Sequence, residues 1–597
     1  MKARAFFSEI KRRNVLRAGT FYMAAGWALA QGLAQLLPVF NAPNWITQWF
    51  VIACFIGFPF WVVFAWFYEF TPTGLKLESE IEPGKSIQEH TGKRADRWII
   101  AVLGIAVVLL ITNQFVLHRD AESEADVADA MAIAAALAKV PKQSVAVLPL
   151  ANESGDPRQQ YFSDGLSEEL ISDLTQVNGL KVIGKYSSFK FRDSKESPAQ
   201  IGAALGVAHL ILGSVQQQSD RIRVMVSMIN AGDGTSVWSH SYDEPLKDVF
   251  AIQSQIGNAV AAALKIKLFG NAIVSSDKPP GGNVEAYQLM LQGHALVLRQ
   301  TEAGFSQGIP LLQQAIKLDP DYAYAWGSLA TAFVNLGQIT QVDEARQRAY
   351  VQARVAANRQ QALAPNVAST YSVRGYLLST IDDDPAGALA EYKRALALAP
   401  NDGRTMVFLA FGLLNEGQLQ PAAELFRNAI ATDPLQYGWY AGLATAQLAQ
   451  GRLDAAEQAT RTALALQPDY PGLYGNLTQI DVLRGDAAAA LRDAQLETDP
   501  ALGPWARALA QQTSPDHRQA DASLQDYLVK NGKTQPYLVA DLFALRKQPD
   551  KMFQWLQRAF AQDDPQMAGL LYDPFVLAYQ RDPRFVALRK QAGLSEP

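Results

Sequence analysis

Ser187 and Lys190 are spaced so that one helical turn would bring a lysine amine beside a serine hydroxyl, a pairing that can activate the serine as a nucleophile. No companion motif accompanies the pair, which reads as a chance match. Pro83-Gly84-Lys85-Ser86 resembles the end of a phosphate-cradling loop, but Ser79 stands where that loop needs its first glycine, and no strand is expected before it. The six histidines (His90, His118, His209, His240, His294, His517) are scattered and no H-E-x-x-H is present, so no metal motif is read. Glu168 and Glu169 could meet a partner, although the dipole of a helix start favours solvated carboxylates there anyway. Cys54 is the sole cysteine, which excludes an intrachain disulfide and a thiolate cluster. Catalytic, cofactor and metal residues are therefore nominated nowhere, and the chemistry to look for is that of binding.

The elements that would position a binding surface follow from spacing. Between Gly403 and Pro468 one 34-residue unit is followed by a second in register. Met406, Leu409, Ala410, Leu413, Gly417, Ala422, Phe426, Ala429 and Pro434 are answered by Tyr440, Leu443, Ala444, Gln447, Gly451, Ala456, Thr460, Ala463 and Pro468. Steps of three and four give each of two helices a buried stripe, the glycines allow the turn between them, and the proline ends the unit. A lone hairpin leaves a face unburied, so an array is expected.

These residues resemble the tetratricopeptide repeat. Further copies are read at Leu312 to Pro320, Trp326 to Phe333, Ala388 to Pro400 and Tyr474 to Ala490, giving five to six units. The interval from Phe333 to Pro365 is too long for one unit and is expected to hold extra helix or an insertion. The resemblance implies that the first helix of each hairpin lines a concave groove. Carried onto this chain, that nominates Tyr324, Thr331, Asn335, Arg404, Val407, Phe411, Asn415, Thr445 and Gln479 as contacts for an extended peptide or a helix. Arg404 is the only cation among them, so the basic clamp of cytosolic family members is not matched.

At 597 residues the chain is long enough for three or four domains. With 53 Lys and Arg against 58 Asp and Glu, a formal net charge of -5, it has no general affinity for nucleic acid. Apolar runs at Ala18 to Leu37, Ile46 to Phe67 and Trp98 to Leu117 read as three transmembrane helices. Basic residues before the first run and in Tyr68 to Arg97 would hold those parts in the cytosol, leaving everything from His118 onward outside, in a bacterial periplasm.

From Ser144 to Phe269 short strands alternate with helices and a compact α+β domain is expected, its Leu166 to Val177 helix capped by Asp164. The runs SVAVLPLANESGD, YFSDGLSEEL, LGSV and VWSHSYD are similar to the amino-terminal domain of the translocation protein TolB, a module found beside tetratricopeptide repeats in membrane proteins, some linked to adenylate cyclases. No cyclase domain is read here.

The expected fold is thus multidomain: a membrane domain (1-118), a stalk (119-143), the TolB-like α+β domain (144-270), a Pro-Gly linker (271-283), an all-α tetratricopeptide superhelix (284-500), and helical repeats with a cap at Asp582 to Phe585 (501-597). The expected function is a non-enzymatic inner-membrane protein that offers its repeats to protein or peptide partners. The alternative is a sensor related to cyclase-linked receptors but lacking the cyclase.

Overall fold

The computed structural model describes residues 19–20, 22–27, 29–30, 33, 45–71, 74–77, 130–177, 179–266 and 278–594. They divide into two units, Met1–Ala132 and Ile133–Pro597.

In the first unit, helix α1 (Trp45–Phe67) precedes an antiparallel hairpin of β1 (Tyr68–Thr71) and β2 (Gly74–Leu77). The Tyr22 hydroxyl donates to the Cys54 carbonyl at 3.1 Å, and its ring lies 5.7 Å from that of Trp61. Two expectations are corrected here. The membrane domain of three spans is not found: among the described residues no helix is long and apolar enough to cross a membrane. Pro59 removes a main-chain donor from the interior of α1. The expected span Trp98 to Leu117 and most of the Tyr68 to Arg97 loop lie outside the described residues, as does the Gly84-Lys85-Ser86 run. The second correction is β2, where no strand was expected; Leu75 and Leu77 alternate with Lys76, which suits a strand with one apolar face.

The second unit opens with a sheet in the order β5-β3-β6-β7-β8. Strands β3 (Ser144–Val147), β5 (Lys181–Ile183) and β6 (His209–Gln218) run parallel, and β4 (Ala151–Asn152) also pairs with β6. β7 (Arg221–Asn230) and β8 (Ser236–Pro245) extend the sheet antiparallel, with Val224 opposite Tyr242. Along β7 Ile222, Val224, Val226 and Met228 are buried while Arg221, Arg223 and Met225 are exposed, the two-residue alternation of a half-covered strand. Helix α2 (Gln160–Thr175) begins earlier than expected and Asp164 is not its cap. That carboxylate instead pairs with Arg192 at 2.7 Å, and Asp156 caps the 3-10 turn that leads in. α3 (Lys185–Ser188), α4 (Pro198–Leu205) and α5 (Val249–Ala263) complete the region. A capping box of Ser197 and Gln200 starts α4.

After the Pro279 to Gly282 stretch, helical hairpins stack side by side: α6 (Val284–Val297) with α7 (Glu302–Leu318), α8 (Ala323–Ile339) with α9 (Asp343–Leu363), α10 (Ala368–Thr380) with α11 (Pro385–Leu398), and α12 (Gly403–Asn415) with α13 (Leu419–Thr432). They continue as α14 (Tyr437–Ala449) with α15 (Leu453–Leu466), α16 (Leu473–Arg484) with α17 (Ala487–Leu496), α18 (Leu502–Gln511) with α19 (His517–Asn531), and α20 (Pro536–Leu545) with α21 (Pro549–Ala561). Short helices α22 (Pro574–Leu577) and α23 (Pro583–Gln591) close the array, and Phe585 is buried in that last core. Gly417 and Gly451 adopt φ of 73° and 69°, the left-handed turn that ends the first helix of a hairpin. The long interval before Pro365 contains no separate insertion; α9 alone runs 21 residues and takes it up.

The sheet region and the first repeats share one interior. A continuous apolar cluster includes Val145, Leu170 and Val224 of the sheet region, Met290 and Phe305 of the first hairpin, and Leu377 of α10. Gly165 on α2 is part of this junction: a Cβ there would stand 2.6 Å from the Leu291 side chain of α6.

Candidate functional site

The array curves back on the chain's own sheet region, and the contacts are specific. On the turn after α13, Asp433 accepts a hydrogen bond from the Ser187 backbone N–H at 2.6 Å, while the Ser187 hydroxyl accepts from the Leu435 N–H at 2.8 Å. Gly184 N–H donates to the Thr432 carbonyl at 2.8 Å and Lys190 Nζ to the Leu435 carbonyl at 3.0 Å. Ser187 and Lys190, which sequence spacing offered as nucleophile and activating amine, are both engaged in clamping this turn. Burial pushes the Asp433 carboxyl above its ordinary range, and the hydrogen bonds from Ser187 act against that shift.

A second junction is buried. Tyr287 of α6 donates to Glu169 Oε2 at 2.6 Å and accepts from Gln253 Nε2 at 2.9 Å, and Gln253 also bonds Glu169. Burial, then the neighbouring Glu169 charge, raises the Tyr287 phenol well above its usual value. Glu169 is therefore neither a solvated carboxylate nor a contact for a partner, and Glu168 is paired with Lys185 at 2.8 Å.

Between these junctions several polar groups from different elements converge. Arg404, at the start of α12, is exposed and donates to the Tyr186 hydroxyl of α3 at 3.3 Å. His294 of α6 and Tyr324 of α8 have ring centroids 6.1 Å apart. The His294 pKa is lowered to about 4, first by burial and then by the Lys185 and Arg404 charges, with Glu168 opposing, so its imidazole is neutral near pH 7. Partial desolvation of the head group by its neighbours works against the Arg404 charge, but Tyr186, Asp402, Tyr324 and Glu168 outweigh it and the guanidinium is held protonated. Such a set can orient a polar or acidic group by hydrogen bonding; among the described residues no cluster of His, Cys, Asp and Glu could hold a metal ion.

The nine nominated groove residues are distributed unevenly. Tyr324 and Arg404 join the polar set just described. Asn335 accepts from the Tyr376 hydroxyl at 2.8 Å, linking α8 to α10. Thr331 and Thr445 donate to carbonyls one turn back in their own helices, Gly327 and Ala441. Val407 is buried in the core of the α12 hairpin. Phe411 is 44% exposed and stands edge-on to Phe426 at 5.1 Å. Asn415 and Gln479 are half-buried, near the end of α12 and on α16. The residues 565–577 near the chain's end pack back against α12 and α14, with Tyr572 on the apolar cluster of those repeats.

Sequence reasoning missed Tyr287, Gln253, His294, Tyr186 and Asp433. Tyr287 did carry a signal, because it falls among Met290 and Leu291 on the inward side of α6, and a buried phenol needs a hydrogen-bond partner. Asp433 carried none, since an aspartate before a proline is ordinary turn chemistry.

Residues 413–480 match the family model of the tetratricopeptide repeat, so the chain carries these repeats. A protein of Rhizobium meliloti (strain 1021) named "Putative adenylate cyclase 3" is 34% identical over 198 residues, which are 32% of this chain and about a third (34%) of that relative's length. Among solved structures, the type IV pilus biogenesis factor PilW matches 40% of this chain and 99% of its own at 18% identity, with a TM-score of 0.30. PilF of Pseudomonas aeruginosa matches 42% and 97% at 15% identity and a TM-score of 0.25.

Proposed function

We propose that this protein is a non-enzymatic scaffold that binds an extended segment of another protein along α12. The observation that carries the reading is the spacing of Arg404 and Phe411. Seven residues apart, they lie on one helix face about 10 Å from each other, and both are exposed beside the contacts that α12 makes with α3 and with residues 565–577. The partner would offer an acidic or carbonyl group to Arg404 and an apolar side chain to Phe411. Crosslinking of the full chain in cells, followed by mass spectrometry, tests it with Arg404→Glu and Phe411→Ala. Partners captured by the native chain should fall away in both variants; equal capture overturns the reading.

A second reading rests on the Rhizobium relative and on the TolB-like phrases of the sheet region: the second unit would sense a ligand on behalf of a separate cyclase. Cyclic AMP in cells with and without the gene tests this, and unchanged levels sink it. An envelope location, suggested by the basic residues that flank the apolar runs of the first 117 residues, belongs to either reading and is tested by fractionation.

A further inference from the structure

Where β3, β5 and β6 begin, a cleft of about 890 Å³ opens between the sheet edge and the end of α5. Its walls carry Lys142, Lys181, His209 and Lys265, with Gly179 at the rim and no aspartate or glutamate. Lys185 and Lys530, by contrast, each stand 2.8 Å from a carboxylate, Glu168 and Asp526. The three cleft lysines have no ion-pair partner among the described residues.

Three of these groups, Lys181, His209 and Lys265, are positioned by different parts of the fold. Lys181 is half-buried and its Nζ donates to the Gly206 carbonyl at 2.9 Å; burial lowers its pKa, so the ammonium is more costly to keep there than in water. His209 Nδ1 lies 3.3 Å from the Ser144 carbonyl, which can only accept, so Nδ1 carries the proton and Nε2 is left for another group. Lys265 has φ of 55°, a left-handed conformation that usually falls to glycine at a helix end, and the Ile266 N–H bonded to the Ala261 carbonyl at 3.0 Å fixes the turn. The carbonyl end of α5 would itself favour one cation. It accounts for neither Lys142 nor Lys181, which come from the sheet edge.

We propose that this cleft binds a phosphorylated ligand, a phosphate monoester or diphosphate whose oxygens are taken by Lys142, Lys181 and Lys265 with His209 as an additional contact. Three cations without a counter-ion match a group bearing two or more negative charges better than a single carboxylate. The site is distinct from α12 and its fate does not depend on peptide binding there. The same chemistry belongs to soluble phosphates and to phospholipid headgroups, so the test has two arms.

Calorimetric titration of the full chain with inorganic pyrophosphate forms one arm. Cosedimentation with phosphatidylcholine vesicles, with and without phosphatidic acid, forms the other. The exposed residues are reversed together in Lys142→Glu with Lys265→Glu, where circular dichroism should be unchanged, and Lys181→Gln keeps a donor for the Gly206 carbonyl. Binding of pyrophosphate that weakens roughly tenfold or more in both proteins supports a soluble ligand. Sedimentation that requires phosphatidic acid and is lost in both supports a headgroup. No binding to either probe, or binding equal in native and charge-reversed proteins, overturns the proposal.

Discussion

Asp433 accepts the Ser187 N–H at 2.6 Å across 246 residues of sequence, and Ser187 in turn accepts the Leu435 N–H. The carboxylate, 2% exposed, thus performs for α3 the capping task that a neighbouring side chain usually performs for a helix start. Asp433→Ala should destabilise the second unit by about 1–3 kcal/mol, because it orphans a buried N–H. Denaturant unfolding checks the magnitude. Faster amide exchange confined to residues 184–191 and 432–436 checks the location.

The Tyr287 hydroxyl stands between Glu169 and Gln253. Tyr287→Phe keeps the ring contacts with Phe162 and Phe250 but removes one donor from a buried carboxylate. The loss expected is on the order of 2 kcal/mol. Glu169→Gln combined with Tyr287→Phe should cost less than the sum of the single changes, since the charge that needed the donor is gone. Additive losses in the double variant would mean that the two residues act separately.

Asp541 is 1% exposed against Asp573, and burial followed by the Asp573 charge raises its pKa well above the ordinary value. Its bound proton should be donated to Asp573, which also accepts from the Phe575 and Val576 N–H groups at 2.8 and 3.1 Å. A raised folded-state value means that this contribution to stability is full below the ordinary aspartate range and is lost as pH climbs through the folded-state value. Asp541→Asn keeps a donor and removes the titration. The variant should match the native chain near about pH 4 and exceed it near about pH 8 by on the order of 1 kcal/mol. Thermal unfolding across that range decides it, and parallel curves would refute it.

Gly451, at φ 69°, has no atom within 4 Å of where a Cβ would stand. Gly451→Ala should therefore cost about 1 kcal/mol through backbone strain alone, and Gly451→Asn less. Equal stability of Ala and Asn variants by urea unfolding would contradict this.

What was legible in the sequence is what neighbours in sequence decide. Ala422, Phe426 and Ala429 point inward because helical spacing puts them on one stripe, and all three are buried. The alternation in Ile222 to Met228 fixed the covered face of β7 in the same way. The groove was another matter. Arg404 reaches Tyr186 and Asp433 reaches Ser187 only because the stacked hairpins return to the sheet region, and no local pattern encodes a path accumulated over several repeats. Of the apolar runs near the amino end, Ile46 to Phe67 does form a helix, α1, with Pro59 in its interior, and Trp98 to Leu117 lies outside the described residues.

The apolar cluster that runs unbroken from Val145 to Leu377 has a practical corollary for anyone cutting the chain. The joint at Pro279 to Gly282, pinned by the Gly281 N–H on Asp319 at 2.9 Å, marks a turn in the path and not a seam between exchangeable modules. Severing it would lay bare two oily faces that fit only each other. A fragment meant to behave in solution should keep everything from β3 through α10, and recombination that swapped either half for a homologue's would have to swap the matching face as well.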